Sequence, residues 1–387
     1  MNKLPLSTNE NQLWDNRIDI IKGICALGIV GVHFAGSFIG RPGIRWEPAF
    51  FVGLYWNQIF TFAVPVFIFI SGFLIGRKNY PSTPVFYLHR INSLIPQYFL
   101  VCIAWWVLFP HAGFIQDLTW DNIFIRLFYR GIQGTQYFVS AILQLVLLAP
   151  LIRLFVEYIS ERFHRNSVFL LAVLLLLLHL ALGNACFKGV LNYYYYCLPF
   201  SPFWLFFFFF GLYTERLLVP IYKRIGFIAP FLLLFLGALG AQTYNLYRCS
   251  TPEIAGLEIN TIPFDYAYSR PSMLVYDLCI VGCLAFVLVC RSKTTPLWLQ
   301  GFRFFGKYSY EIYLWHLVLL QYIGWGSPAN MQLCEKHPIA IIALCIISCV
   351  IISITRNTYD ILLSIFVNNI FLFFQSIKRK AIFTKDH

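Results

Sequence analysis

The sequence predicts an all-α, polytopic membrane protein with about ten transmembrane helices, cytoplasmic N and C termini and a polar cavity between the helices. The chain is 59% hydrophobic and only 12% charged, whereas a soluble domain carries about a quarter charged residues. Its apolar residues form blocks of roughly 18–25, the length with which a helix crosses a bilayer. The charged residues lie at the ends of these blocks, where they determine topology.

Ten apolar segments account for the predicted helices. They are residues 18–38, 51–75, 93–109, 137–155, 168–183, 202–219, 226–246, 272–290, 308–325 and 338–355. A further apolar run at 359–374 precedes a basic cluster at 378–380. We expect this run to lie along the membrane surface, because that keeps the basic cluster inside. The predicted organisation is a cytoplasmic tail at 1–16, a transmembrane domain at 17–356, and an amphipathic surface helix with a basic cytoplasmic tail at 357–387.

The distribution of basic residues predicts the orientation. With ten spans, only eight of the 29 Lys and Arg residues lie on the side opposite the two termini. Cytoplasmic loops are the ones enriched in Lys and Arg, so both termini are expected to be cytoplasmic. The net charge of +12 therefore reflects topology, and we expect no nucleic-acid partner.

The eleven cysteines lie mostly inside the predicted spans, where they act as small apolar residues. No CxxC pattern is present, so no metal is expected. Cys186, Cys249 and Cys334 fall in loops on one side of the membrane, which leaves a disulfide open.

Polar residues in the first span share one helix face. Lys22 and His33 are eleven residues apart, which is about three turns and roughly 16 Å along the axis. Asp19 lies on the same stripe, one turn before Lys22. An ionisable side chain near the bilayer centre costs about 2.5–3.5 kcal/mol on insertion scales. Either Lys22 extends to the headgroups and His33 is a packing residue, or the stripe lines a functional cavity.

The ninth span contains a second deep histidine. It reads "GKYSYEIYLWHLVLL", and its spacing places Ser309, Tyr313 and His316 on one face. Two histidines with polar neighbours in different spans predict a shared polar cavity, although a hydrogen-bonded contact between helices is the alternative. His179 lies in a leucine run without polar neighbours, and we interpret it as structural.

Basic residues follow the second span and precede the third. In "FAVPVFIFISGFLIGRK" Pro65 predicts a kink, Ser71 lies near the cytoplasmic end, and Arg77 and Lys78 follow. Arg90 stands three residues before Ser93 at the start of the third span. An arginine here either sets topology or grips a phosphate, whose geometry its fork matches.

Together these segments resemble the integral-membrane acyltransferase family 3, whose bacterial members O-acylate glycans and other extracytoplasmic acceptors. The resemblance covers nearly the whole chain and is carried by "RIDIIKGICALGIVGVHF", "FAVPVFIFISGFLIG", "QYFVSAILQLVLLAPLI", "FFFFFGLYTER" and "GKYSYEIYLWH". The chain departs from the family at two positions. Lys22 stands where the family usually has arginine, and Ser93 replaces the second of two arginines of which Arg90 is the first.

The resemblance implies an acyl-coenzyme A donor, most simply acetyl-CoA, with His33 as the catalytic residue. His33 either takes a proton from the acceptor hydroxyl or accepts the acyl group itself. We expect O-acetyl transfer at the cell inner membrane to a glycan such as an O-antigen, an exopolysaccharide or a lipid-linked sugar. The expected donor-binding residues are Lys22, Arg77, Lys78 and Arg90, and the expected supporting residues are Asp19, Lys22, Ser71, Ser309, Tyr313 and His316.

Two other functions remain open from the sequence. A transporter or flippase of lipid-linked glycans would share the many spans and buried polar residues, but it favours paired structural repeats, and no half-to-half symmetry is evident. A non-catalytic sensor or assembly partner would leave the two histidines without a use. The tyrosines at 193–196 and Trp204 either stack on a sugar ring or anchor the membrane interface.

Overall fold

The computed structural model of the chain describes residues 8–39, 48–78, 82–131, 136–163, 166–250, 267–290, 296–322, 336–337, 339–340, 343–356 and 358. The described residues form helices and no strands, and eight helical segments are long and apolar enough to cross a membrane. The predicted all-α, multi-pass membrane fold is therefore confirmed. The main helices are α1 (Thr8–Ile39), α2 (Pro48–Ile59), α3 (Ala63–Arg77), α4 (Thr83–Leu108), α5 (Tyr137–Phe163), α6 (Ser167–Phe187), α7 (Ser201–Ile225), α8 (Ile228–Ser250), α9 (Pro271–Val289), α10 (Gly301–Lys307), α11 (Ser309–Tyr322) and α12 (Ala343–Arg356).

Several observed helix ends differ from the predicted ones. Helices α5 and α7 continue to Phe163 and Ile225, eight and six residues beyond the predicted spans. Helix α1 begins at Thr8, so residues 8–15 of the predicted tail continue the first helix. Helix α4 begins at Thr83, ten residues before the predicted span, because Pro84 is well suited to a first helical turn. The described parts of the last two predicted spans are the helices α11 and α12, since residues 323–335 and 341–342 lie outside the described residues. The predicted surface helix at 359–374 lies outside the described residues.

The second span tightens at one point along its length, while remaining one helical segment over Phe50–Arg77. A 3-10 turn at Phe60–Phe62 separates α2 from α3, just ahead of Pro65. Proline has no backbone N–H, so the carbonyl four residues earlier loses its helical partner. Tyr276 on α9 donates its hydroxyl to the Ile59 carbonyl oxygen at 2.8 Å, which satisfies one of the acceptors at this turn. Irregular backbone at this depth is tolerated where protein surrounds it.

Glycines bring two pairs of helices into backbone contact. Helix α3 packs along α7, and α1 packs along α10. A Cβ on Gly72 would overlap the carbonyl oxygen of Phe208, and a Cβ on Gly211 would overlap that of Phe69. Small residues permit such close approach between membrane helices. The two contacts of α3 with α7 are reciprocal, so a side chain at either glycine would push the two helices apart.

The contact of α1 with α10 has the same character and lies beside the polar stripe of α1. A Cβ on Gly23 would overlap the Phe302 carbonyl oxygen, and a Cβ on Gly306 would overlap the Asp19 carbonyl oxygen. Helix α11 follows α10 after a single residue. The α1–α10 contact therefore fixes how α11, which carries His316, sits against α1.

We expect Gly306→Ala to destabilise the protein. The new methyl group has no room beside Asp19, and overpacking of this kind typically costs about 1–3 kcal/mol. Thermal unfolding in detergent should show a lower melting temperature. Gly301→Ala is the matched control, because a Cβ there, in the same helix, meets nothing within 4 Å. Equal melting temperatures for the two variants would contradict the tight contact.

Candidate active site

The structure brings His33 and His316 together. His33 lies on α1 and His316 on α11, and their ring centroids are 5.1 Å apart with an interplanar angle of 33°. His316 is fully buried, whereas His33 remains partly exposed. The shared polar cavity predicted from the sequence thus has a geometric counterpart, with one ring held inside the protein and the other accessible.

The two rings differ in their hydrogen bonds. Nδ1 of His316 lies 2.7 Å from the Tyr313 carbonyl oxygen and 3.0 Å from that of Ile312. A carbonyl oxygen only accepts hydrogen bonds, so Nδ1 carries the proton and Nε2 presents a lone pair. Nε2 has no partner among the described residues. His33 makes no hydrogen bond within the described part of the chain, so its ring nitrogens are available to a bound molecule.

Tyr313 connects this pair to a group of buried tyrosines, Tyr137, Tyr193, Tyr268 and Tyr313, which we call the tyrosine cluster. The ring of Tyr313 lies 6.0 Å from His316. The hydroxyls of Tyr137 and Tyr268 hydrogen-bond to each other, and the Tyr193 hydroxyl accepts from the Tyr268 N–H at 3.3 Å. Burial raises the pKa of Tyr268, which lies outside the spans, so this hydroxyl keeps its proton.

The other end of the polar stripe holds an ion pair. Lys22 Nζ lies 2.7 Å from Asp19 Oδ1, and the two side chains are 21% and 29% exposed. The pair fixes the lysine head group on α1, about three helical turns from His33. We call this end of the bundle, which also carries Arg77 and Arg90, the basic end.

Arg90 is the basic residue whose hydrogen-bond donors are most clearly without an acceptor among the described residues. It is partly buried in α4, and its Nε and Nη2 are shielded from solvent without a hydrogen-bond partner among the described residues. Buried donors are nearly always paired. Two adjacent guanidinium N–H groups without an acceptor match the fork that binds a phosphate or carboxylate oxygen pair.

The remaining predicted residues near the basic end have other contacts or are exposed. The Ser93 hydroxyl donates to the Arg90 carbonyl oxygen at 3.0 Å and is exposed, so it does not fill the place of a second arginine. Ser71 donates within its own helix, to the Phe67 carbonyl oxygen at 2.8 Å.

Arg77 is the more constrained of the two basic residues that end the second span. It lies 3.7 Å from Glu215 and 5.4 Å from the centroid of the Phe73 ring, whereas Lys78 is exposed. Ser309 is buried at the start of α11. The basic end thus offers Lys78 and Arg90 as its most available cations, whereas Lys22 is paired with Asp19.

Two arginines of this region have structural contacts. Arg17 donates to the carbonyl oxygens of Val287 at 3.0 Å and Cys290 at 2.8 Å, at the C-terminal end of α9. Arg153 donates to the Ile75 carbonyl oxygen near the end of α3. Cations stabilise helix C-termini in this way, so these residues hold helix ends in place.

Three smaller sequence interpretations also have outcomes. Nδ1 of His179 lies 2.7 Å from the Phe203 carbonyl oxygen, which supports its structural interpretation. Trp204 is only 1% exposed and donates to the Leu198 carbonyl oxygen, so it cannot stack on a sugar from outside. The described cysteines, including Cys186 and Cys249, form no disulfide with one another, and Cys334 lies outside the described residues.

Sequence reasoning missed several polar residues inside the spans. Asp277 on α9 is 2% exposed, and its Oδ1 has no hydrogen-bond partner within the described residues. Four buried amides also went unremarked. They are Asn57, Gln58, Gln242 and Asn245. All five interrupt apolar runs, and this interruption is the signal that could have identified them.

Comparison with known proteins gives one match. A family model described as an acyltransferase domain matches residues 15–356. No curated protein and no solved structure matches the chain. Among the described residues, no three His, Cys, Asp or Glu side chains are grouped so as to hold a metal ion.

Proposed function

The chain belongs to acyltransferase family 3, and on that premise we propose that this membrane acyltransferase transfers acetyl from cytoplasmic acetyl-CoA to a hydroxyl of a cell-surface glycan. The acceptor class is an O-antigen, an exopolysaccharide or a lipid-linked sugar, and the site is the cell inner membrane. The observation that carries the proposal is the accessible His33 ring beside the buried His316 ring, 5.1 Å away.

The donor enters from the basic end. Its phosphates pair with Arg90, whose two shielded N–H groups lack an acceptor, and with Lys22 and Lys78. Arg77 contributes charge to the same rim. Charge-assisted hydrogen bonds of this kind are roughly twice as strong as neutral ones. The long pantetheine arm then runs along the polar stripe of α1 and brings the thioester to His33.

The position of His33 along α1 suits an acceptor that arrives from the other side. The apolar span of α1 runs from Asn16 to Gly36, so His33 lies three residues from its far end and about 25 Å from its start. With a cytoplasmic N terminus, the reacting centre lies in the outer half of the membrane. The glycan hydroxyl reaches it without crossing, whereas the donor arm spans the roughly 16 Å between Lys22 and His33.

The proposed transfer proceeds at His33. A ring nitrogen of His33 takes the proton of the acceptor hydroxyl as the oxygen attacks the thioester carbonyl. The carbon–sulfur bond breaks, the ester forms, and the departing thiolate receives the proton from His33. The Nε2 lone pair of His316, on a ring whose tautomer the Tyr313 and Ile312 carbonyls fix, stabilises the protonated His33 ring.

His33 also has the chemistry for a two-step route. In that route a ring nitrogen attacks the thioester, the free thiol of the donor leaves, and the acceptor hydroxyl then takes the acetyl group from the ring nitrogen. Brief exposure of the protein to labelled acetyl-CoA without acceptor separates the two routes. Label retained on the peptide that contains His33 indicates the acyl-histidine, and its absence indicates direct transfer.

The activity is tested by incubating membranes that contain the protein with labelled acetyl-CoA. We expect label in the surface or lipid-linked glycan, with one acetyl mass increment per repeating unit, and none when the protein is absent. Glycan movement across the membrane without any donor, and without label in the glycan, would support the transporter instead.

A further inference from the structure

Four amide side chains form a buried group beside the 3-10 turn of the second span. Asn57 and Gln58 lie on α2, and Gln242 and Asn245 lie on α8. Their exposed fractions are 6%, 0%, 7% and 2% in that order. We call these four residues the amide cluster. None of the four carries a charge, so the cluster is polar and neutral.

Three of the amides belong to one directed chain of hydrogen bonds. Asn57 Nδ2 donates to the Val32 carbonyl oxygen at 3.3 Å, and Asn57 Oδ1 accepts from Gln58 Nε2 at 2.9 Å. Gln58 Oε1 accepts from Asn245 Nδ2 at 2.9 Å. Asn245 Oδ1 accepts from the Ser272 hydroxyl at 3.3 Å. The chain joins α1, α2, α8 and α9, as polar side chains do between membrane helices.

Gln242 is the member that this structural role does not explain. Both Nε2 and Oε1 of Gln242 are buried and have no partner among the described residues. Gln242 lies one turn before Asn245 and is buried with it, so both residues face the α2 side of α8. An unsatisfied buried polar group costs about 1–3 kcal/mol. A donor and an acceptor left open on one side chain call for a ligand that can both accept and donate.

The cluster adjoins the reacting histidine and has an aromatic wall. Asn57 bonds to the carbonyl of Val32, the residue directly before His33. Phe62 is the last residue of the 3-10 turn, and its ring meets the ring of Tyr276 edge to face, with the centroids 6.1 Å apart. Both rings belong to the apolar cluster that contains Ala238, one turn before Gln242 on α8. Neutral amides beside aromatic rings suit an uncharged, hydroxyl-rich ring.

We propose that the amide cluster, through Gln242, binds the hydroxyl groups of an uncharged sugar ring of the acceptor, a glycan whose reacting hydroxyl is placed at His33. A hydroxyl group both donates and accepts, so one or two sugar hydroxyls satisfy both open atoms of Gln242. The role as an acceptor subsite rests on the proposed function, whereas binding of the sugar does not. The cluster therefore selects neutral sugars over anionic ones, because it offers no cation.

The test variant is Gln242→Leu, which removes both polar atoms that lack partners and keeps the side-chain volume similar. The probes are neutral methyl hexosides, with methyl glucuronate glycoside as the anionic comparison. Binding is read as the rise in melting temperature of the purified, full-length protein in detergent. We expect a response of the native protein to at least one neutral hexoside, no response to the anionic one, and about tenfold weaker neutral-sugar binding in Gln242→Leu.

Two further variants separate ligand binding from packing. Asn245→Leu removes two hydrogen bonds of the chain and should lower the melting temperature without sugar. Gln242→Leu loses no bond within the described protein, so its melting temperature without sugar should stay the same or rise. Thr243→Val is the matched control, because Thr243 is exposed on the same turn and bonds only to its own helix. It should leave the sugar response unchanged.

The inference is overturned if the native protein responds to no neutral hexoside, if Gln242→Leu binds as well as the native protein, or if it is destabilised as much as Asn245→Leu. Repeating the binding assay in His33→Ala separates this inference from the proposed function. If sugar binding depends on Gln242 but the native protein transfers no acyl group, only the proposed function is refuted. Acyl transfer that Gln242→Leu leaves unchanged refutes only the subsite.

Discussion

We expect acyl transfer by His33→Ala to fall by about 10²–10⁴-fold, to background level, while the protein still inserts and folds. A positioned general base contributes about this factor, and a nucleophilic histidine would contribute at least as much. Folding is spared because His33 is partly exposed and makes no hydrogen bond among the described residues. The measurement is label transfer from acetyl-CoA to glycan, normalised to the amount of membrane-inserted protein.

His179→Leu is the control for removing a membrane histidine. Nδ1 of His179 bonds to the Phe203 carbonyl oxygen, so this variant should lower the melting temperature while transfer per folded molecule is retained. His33→Ala should show the reverse pattern, with an unchanged melting temperature and no transfer. Near-normal transfer by His33→Ala would remove His33 from the reaction.

We expect Arg90→Ala to raise the apparent KM for acetyl-CoA by about 10–100-fold and to leave kcat nearly unchanged. A hydrogen bond to a charged group contributes about 1.5–3 kcal/mol, and Arg90 has two shielded N–H groups open to an anion. Arg90→Lys should recover part of the affinity, because lysine keeps the charge and loses the bidentate fork.

A donor without the nucleotide distinguishes phosphate binding from a general disturbance. S-acetylpantetheine carries the same thioester and arm but lacks the phosphates, so native protein and Arg90→Ala should use it equally poorly. Arg216→Ala is the control arginine, since Arg216 is exposed and bonds to the Ser160 hydroxyl at 3.2 Å. An equal loss with both donors, or no loss with acetyl-CoA, would exclude Arg90 from phosphate binding.

The first helix shows how much of the candidate site the sequence predicts. A helix has a fixed period, so eleven residues place Lys22 and His33 on one face whatever surrounds them. The proximity of His33 to His316 follows less directly, because periodicity gives a face but not a neighbour. The neighbour is set by the contact of α1 with α10, where Gly23 and Gly306 bring the backbones together.

The amide cluster shows what the sequence conceals. Gln58 and Asn245 are 187 residues apart in the chain, and nothing in either apolar run specifies that they meet. Amides are also less conspicuous in a span than charged groups, because they are cheaper to bury once paired. Asp277, by contrast, could have been identified from the sequence, since a carboxyl group inside a predicted span is itself a signal.

Helix ends were predicted correctly where the sequence changes sharply from polar to apolar residues, and incorrectly where polar residues continue a helix. Helix α9 begins at Pro271 and ends at Val289, within one residue of the predicted span. Helix α4 extends about three turns further towards the basic end because polar residues there remain helical, and this extension places Arg90 inside the helix. An arginine within a helix has a fixed direction, whereas an arginine in a loop does not.

The interlocked glycines of α3 and α7 bear on how a group crosses the bilayer. A transporter that opens alternately to each side needs one helical bundle to rock against another. Gly72 and Gly211 each receive the opposite backbone where a side chain would begin, so α3 and α7 pack as one unit. The proposed transfer does not require these two helices to separate, because the donor stops at the reacting centre and only its acyl group passes to the acceptor.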